Sequence, residues 1–239
     1  MSELGEAMEV MHTSAQRWNR LRVEGHEWRN HDVFRRAWEH HFAELRRNGA
    51  SVHSAVGFKT GSDEDVQSES RYSWRFWVAK PDKRRAEFRV GDETVAVVSV
   101  GAHWWSWSPR GFQTNGGALN STHGFGPGEA LLASADYLAP LDLSVDGRTT
   151  FLSRSAFLVT ALPHIRPSDP HDMTLHMLGT GADRYKLIVD AEVGVLLRSG
   201  AEFRGETFRV VEADEIGINE EFSANTFDGE RLRTGALDL

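Results

Sequence analysis

An α+β fold, an incomplete antiparallel barrel wrapped around its N-terminal and lid helices, is predicted by three features of the sequence. Two segments with helical spacing open the chain, nearly everything from Ser51 onward alternates with period two, and the alternating segments are joined mostly by links short enough for hairpins. Hairpin-joined strands make an antiparallel sheet, and helices gathered ahead of it collect on one face. A sheet that bends round its own helices is a half-barrel with a concave apolar surface. No repeat or shift in composition marks a second domain. The expected organisation is therefore one domain over 1–239, with a helical part at 1–49, a half-barrel at 50–227 and a tail at 228–239.

Leu4, Met8, Met11, Ala15 and Trp18 fall at helical spacing and predict a helix over about 3–19. Leu21, Val23 and Gly25 then alternate with Arg22, Glu24 and His26 as a strand with one buried face. Asp32 is the expected cap of a second helix, whose stripe is Phe34, Trp38, Phe42 and Leu45, and which Asn48-Gly49 ends. Strands are expected at 51–58, 69–79, 85–90, 93–100 and 103–108, with tight turns at Gly91-Asp92 and Gly101-Ala102. Gly111 to Gly128 reads as a long polar loop, a lid or insertion. Glu129 to Ala135 reads as a short helix, Leu141 to Leu162 as a hairpin turning at Asp146-Gly147, and the proline-containing run Pro163 to Asp172 as a break. Strands at 184–190, 194–203 and 206–216 and a polar C-terminal segment complete the chain.

Composition narrows the function. Lys plus Arg number 27 against 35 Asp plus Glu, a net charge of −8, which disfavours nucleic acid as a partner. No segment approaches the about 20 apolar residues of a bilayer helix, so no integral membrane association is expected. The absence of cysteine excludes disulfides, thiolate metal sites and cysteine nucleophiles. Met1 to Arg22 carries Glu3, Glu6 and Glu9 where an export signal is basic, so the expected location is cytoplasmic. Arginine outnumbers lysine 23 to 4, which fits a GC-rich bacterial genome.

The aromatic strands are the most informative feature. Tyr72, Trp74, Phe76 and Val78 share one face, Ala86 and Phe88 match it on the next strand, and Arg85, Glu87 and Arg89 form a charged opposite face. His103, Trp105 and Trp107 alternate against Trp104 and Ser106, and three neighbouring strands are expected to supply large rings to one surface. Those rings are either a core packed by the helices or the wall of a ligand cavity. The ligand-binding candidates are Trp74, Phe76, Phe88, His103, Trp105 and Trp107, with His103 as a polar group that could act as acid or base. The 11 histidines fit no metal-ligand spacing, and no nucleophile elbow, P-loop or dinucleotide fingerprint is present, so no metal and no cofactor is expected.

Trp74-Arg75-Phe76-Trp77, Lys80-Pro81-Asp82-Lys83-Arg84-Arg85-Ala86-Glu87-Phe88, Gly91-Asp92-Glu93-Thr94 and Trp104-Trp105-Ser106-Trp107-Ser108-Pro109 together form a recognisable series. With the hairpin Tyr185 to Arg198 and the closing segment Phe222 to Phe227, the series resembles the LolA-like superfamily of lipoprotein carriers and lipoprotein-sensing, sigma-factor regulatory proteins. The likeness spans residues 69–227, with departures at 111–128 and 163–180 and an additional helix from Asp32 to Arg47. It implies an incomplete barrel whose concave cavity takes acyl chains, and it carries over no catalytic residue. The expected function is a binding protein for a hydrophobic or lipid-like molecule. The alternatives are a cyclase- or isomerase-type enzyme using the same cavity, with His103 and a nearby carboxylate, and a regulatory module that binds a protein partner through the Gly111 to Gly128 loop.

Overall fold

A computed structural model describes residues 2–47, 68–90, 93–116, 124–164 and 172–234. The strand expected at 51–58, the Gly91-Asp92 turn, residues 117–123 of the expected loop and most of the proline-containing run lie outside the described residues.

Helix α1 (Glu3–His12) is shorter than its apolar spacing suggests, and a 3-10 turn (Ser14–Gln16) follows it. Ser2 caps it, accepting from the Gly5 N–H at 3.2 Å. The Thr13 hydroxyl returns to the Glu9 carbonyl at 2.8 Å and accepts from Arg17 Nε at 2.7 Å, which bends the chain toward the sheet. Ala7, Val10 and Met11 form the buried face, whereas Met8 is 41% exposed. Helix α2 (His31–Arg47) is capped by Asn30 and not by Asp32: Asn30 Oδ1 accepts from the backbone of Asp32 at 3.1 Å and of Val33 at 3.0 Å. Its buried ridge is Val33, Ala37 and His41, with Phe34, Trp38, Phe42 and Leu45 half-buried beside it.

The strands are β1 (Arg20–Asn30), β2 (Glu69–Ala79), β3 (Lys83–Val90), β4 (Glu93–Val100), β5 (His103–Ser108), β6 (Gly111–Thr114), β7 (Leu141–Phe151), β8 (Arg154–Pro163), β9 (Arg184–Asp190), β10 (Leu196–Phe203) and β11 (Glu206–Ile218). They form one open sheet in the order β6-β5-β4-β3-β2-β1-β11-β10-β9-β8-β7, antiparallel throughout. Gly111 to Thr114, expected as loop, extends the sheet as β6. The β7–β8 hairpin turns at Leu152-Ser153, both at positive φ, while Asp146-Gly147 is a bulge inside β7. Two further helices, α3 (Gly128–Leu132) and α4 (Asp172–Gly179), join α1 and α2 against the concave face. No helix among the described residues is long and apolar enough to cross a membrane.

On the concave side, Leu21, Val23, Phe76, Val78, Ala86, Val97, Val211 and Ala213 are buried in one continuous core. Glu27 lies in the same row, accepting from Arg209 Nε at 2.7 Å and from Arg29 Nη2 at 2.6 Å. Arg209 also donates to the Met177 carbonyl, near the C-terminal end of α4, so this ion pair ties β1, β11 and α4 together. Burial pushes the Glu27 carboxyl up, but Arg209 and Arg29 outweigh burial and hold it below its ordinary value of 4.5. A carboxylate lowered on folding contributes stability that is full above its unfolded value and lost as pH falls through its folded value. Glu27→Gln is therefore expected to lower stability at neutral pH by about 3 kcal/mol, the scale for removing one partner of a buried pair. Urea denaturation at stepped pH should show the two proteins converging below pH 4.5. Gly25, next in that row, has no room for a side chain: a Cβ there would stand 2.1 Å from the Glu212 carbonyl oxygen and 2.6 Å from the Trp74 ring. Gly25→Ala should cost about 1–3 kcal/mol in the same assay.

Candidate functional site

The register divides the six aromatic and histidine candidates between two faces. Phe76 pairs with Ala86, Ala86 with Val97 and Val97 with Ser106, so the residues flanking Ser106 point the other way. Trp74, Phe76 and Phe88 lie on the concave face, whereas His103, Trp105 and Trp107 lie on the convex one. The three strands do not supply all of their rings to one surface: the ring that β5 gives to the concave face is Trp104, which follows Val78, Arg84 and Ser99 across the register.

Trp105 and Trp107 instead build a second, small core with Ala96, Val98, Phe112, Phe227 and Leu232. The C-terminal 3-10 helix (Gly229–Thr234) lies on that core, and a Cβ on Gly229 would stand 2.2 Å from the Trp105 ring. Trp105 Nε1 donates to Glu230 Oε1 at 3.0 Å. His103 is exposed, edge-on to Trp105 with ring centroids 5.5 Å apart, and no carboxylate pairs with it among the described residues.

The concave face is partly filled by the chain itself. A Cβ on Gly128 would approach Trp74 at 2.8 Å and Phe76 at 3.2 Å, and one on Gly126, whose φ is +75°, would approach Phe88 at 3.1 Å. These two glycines let residues 125–132 lie flat on the three rings, and Phe125 adds its own ring 6.0 Å from Phe76.

Beyond Phe76, toward Lys80, the same face is open. A cleft of 580 Å³, within the usual size of small-molecule sites, lies between the end of β2, the Ser14–Gln16 turn, α3 and α4. Trp18, Phe76, Val78, Leu132, Ala133 and Met177 give it apolar walls, while Lys80, Lys83, Arg84, Glu129 and Asp136 stand around them. Lys80 Nζ donates to the Trp18 carbonyl at 2.6 Å and sits 3.4 Å over the Trp18 ring. Burial pushes its ammonium below the ordinary lysine value. Arg84 pairs with Glu129 at 3.1 Å, whereas Lys83 has no carboxylate partner among the described residues. The Trp18 indole N–H is buried and has no acceptor among the described residues. Apolar walls beside two ammonium groups and an unused N–H suit a molecule with an apolar body and an acidic end.

Histidine chemistry is placed where spacing could not show it. A bulge opposite Glu24 and Gly25 brings Asp214 of β11 to His26, whose Nδ1 lies 3.0 and 3.1 Å from the two carboxylate oxygens. The ligand atoms that His26, Glu212 and Asp214 offer lie within 4.8 Å of one another, a set separated by nearly the whole chain and so invisible to local spacing. Glu212 is already engaged by Arg198 at 3.0 Å.

No protein-family model matches the chain, and no curated protein matches it. Solved structures do. The complex of MucA and MucB from Pseudomonas aeruginosa superposes with a TM-score of 0.52 at 11% identity, covering 95% of this chain and 60% of that one. The chain thus spans about 60% of the length of the MucB-type structure it matches. The lipoprotein LppX from Mycobacterium tuberculosis gives a TM-score of 0.50 at 10% identity, covering 93% of this chain and 99% of that one. A LolA superfamily protein from Nitrosomonas europaea superposes more loosely, with a TM-score of 0.35 at 9% identity over 95% of this chain and 98% of that one. Similarity at this level speaks to architecture, and that architecture, an open antiparallel half-barrel closed over helices, is the LolA-like fold.

Proposed function

We propose that the protein binds an amphiphile with an acyl or similarly apolar body and an acidic head in the concave cleft. The observation that carries this reading is the open apolar stretch beyond Phe76, with Lys80 and Lys83 at its rim, where the cover of residues 125–132 over Trp74, Phe76 and Phe88 ends. The apolar body lies along Trp18, Phe76, Val78, Leu132 and Met177. Trp74 and Phe88 lie under Gly128 and Gly126, outside this cleft, and the Lys80 and Lys83 ammonium groups with the Trp18 N–H meet the head. Each methylene buried contributes about 0.8 kcal/mol, so about ten would supply about 8 kcal/mol of driving force, from which the cost of association is subtracted. The LolA-like fold supports a concave ligand, and the sequence resemblance, which implies acyl chains in that cavity, points the same way. His103, Trp105 and Trp107, being on the other face, have no part in this site, and among the described residues no carboxylate pairs with His103.

Native mass spectrometry of the purified protein, followed by denaturing extraction, should release an apolar acid or acidic lipid. Palmitic acid added to delipidated protein should bind saturably. Leu132→Trp, which fills the cleft from a half-buried position, should weaken binding by at least about tenfold, and Lys83→Glu by about three- to tenfold, with little change in melting temperature. An empty protein that ignores palmitic acid, or binding indifferent to both substitutions, would contradict the proposal.

A further inference from the structure

The convex face carries a second cleft, of 520 Å³, between β2 and β3 and the C-terminal segment from Glu220 to Arg231. Its floor is ionic and buried: Arg85 is 4% exposed and Glu87 2%. Arg85 Nε donates to Glu87 Oε1 at 2.9 Å, Nη2 donates to the same oxygen, and Nη1 donates to the Thr226 carbonyl at 2.9 Å. The guanidinium therefore spends its bonds on Oε1 and on the backbone of the covering segment. Glu87 Oε2 is left buried, with no hydrogen-bond partner among the described residues. A buried carboxylate oxygen without a donor is costly, and an orphan of this kind is accounted for when a bound molecule supplies the donor.

The lining says what kind of donor fits. Arg22, Arg85 and Arg231 are balanced by Glu87, Glu220 and Glu221, so the cleft selects neither an anion nor a cation. Ser223 and Asn225 add neutral donors and acceptors, and Trp77, with the Arg85 guanidinium 5.6 Å over its ring, adds an indole to the wall. A balanced polar lining beside an indole suits a ring that carries hydroxyls on its edge and C–H groups on its face. We propose that this outer cleft binds a neutral polyhydroxylated ligand of the sugar type, one hydroxyl of which donates to Glu87 Oε2.

The site is separate from the concave cleft, so the two readings fail independently. Maltotriose, N,N′,N″-triacetylchitotriose and myo-inositol, each titrated into the full-length protein and followed by calorimetry and tryptophan fluorescence, are the probes, with choline chloride and inorganic phosphate as charged controls. At least one neutral probe should bind saturably below about 10 mM, a weak but specific affinity. Glu87→Gln, which keeps the shape but replaces an acceptor by a donor, should raise Kd by about tenfold or more, while Leu132→Trp on the concave side should leave it unchanged. If Glu87→Gln fails to fold, Asn225→Ala at an exposed position of the same cleft serves in its place and should raise Kd by about threefold or more. Failure of all three neutral probes, tighter binding of choline or phosphate, or affinity untouched by these variants would overturn the proposal.

Discussion

Strand β1 is hydrogen-bonded along both edges, to β2 on one side and to β11 on the other, and the sheet depends on that double pairing. Without it the five strands β2–β6 and the five strands β7–β11 would be two separate meanders, each with a free edge. The pairing joins residues nearly 200 positions apart, which implies a large loop-closure cost and slow assembly. Two residues show how tightly the seam is built. Gly25 exists so that the Glu212 carbonyl and the Trp74 ring can close over it, and Glu27 reaches beneath the sheet to Arg209, which in turn holds the end of α4. A seam of this kind fixes the curvature of the sheet and the position of the helices beneath it.

That curvature gives the molecule two faces with different chemistry. The concave face is apolar except for the buried Glu27–Arg209 pair, and its apolar part is shared between the chain and an open cleft: residues 125–132 cover Trp74, Phe76 and Phe88 because Gly126 and Gly128 let them approach, and the cover ends where Val78 gives way to Lys80. The convex face has its own small core under the C-terminal segment, and its buried groups include an arginine and a glutamate. An acyl chain is held by area removed from water, whereas a sugar is held by the placement of donors and acceptors. The two clefts thus suit different ligands because one lies on the row of Phe76 and Val78 and the other on the row of Trp77 and Arg85.

Much of this was legible in the sequence. Period-two alternation locates β2, β3, β4, β5 and β9 within a residue or two, and the hairpin links predict their antiparallel pairing. The division of the rings was legible too, by a longer route: two residues separate β3 from β4 and β4 from β5, so Ala86 must oppose Val97 and Val97 must oppose Ser106, which turns Trp105 and Trp107 away from Phe76. Counting rings strand by strand, without carrying the register across the hairpins, merges the faces. Burial of Arg85 and Glu87 was not legible, because it depends on a segment some 140 residues later folding back over them. The early end of α1 and the capping of α2 by Asn30 were missed for a local reason: apolar spacing continues past Thr13, and Asn30 is at once the last residue of β1 and the cap.

The most direct test of the account is where an acyl chain comes to rest. A diazirine-bearing palmitic acid, irradiated in the complex and mapped by peptide mass spectrometry, should label Trp18, Val78, Leu132 and Met177, the walls of the concave cleft. Labelling concentrated on Trp77, Trp107 or the segment 219–234 would place the chain on the convex face and contradict the assignment of the concave cleft as the apolar site.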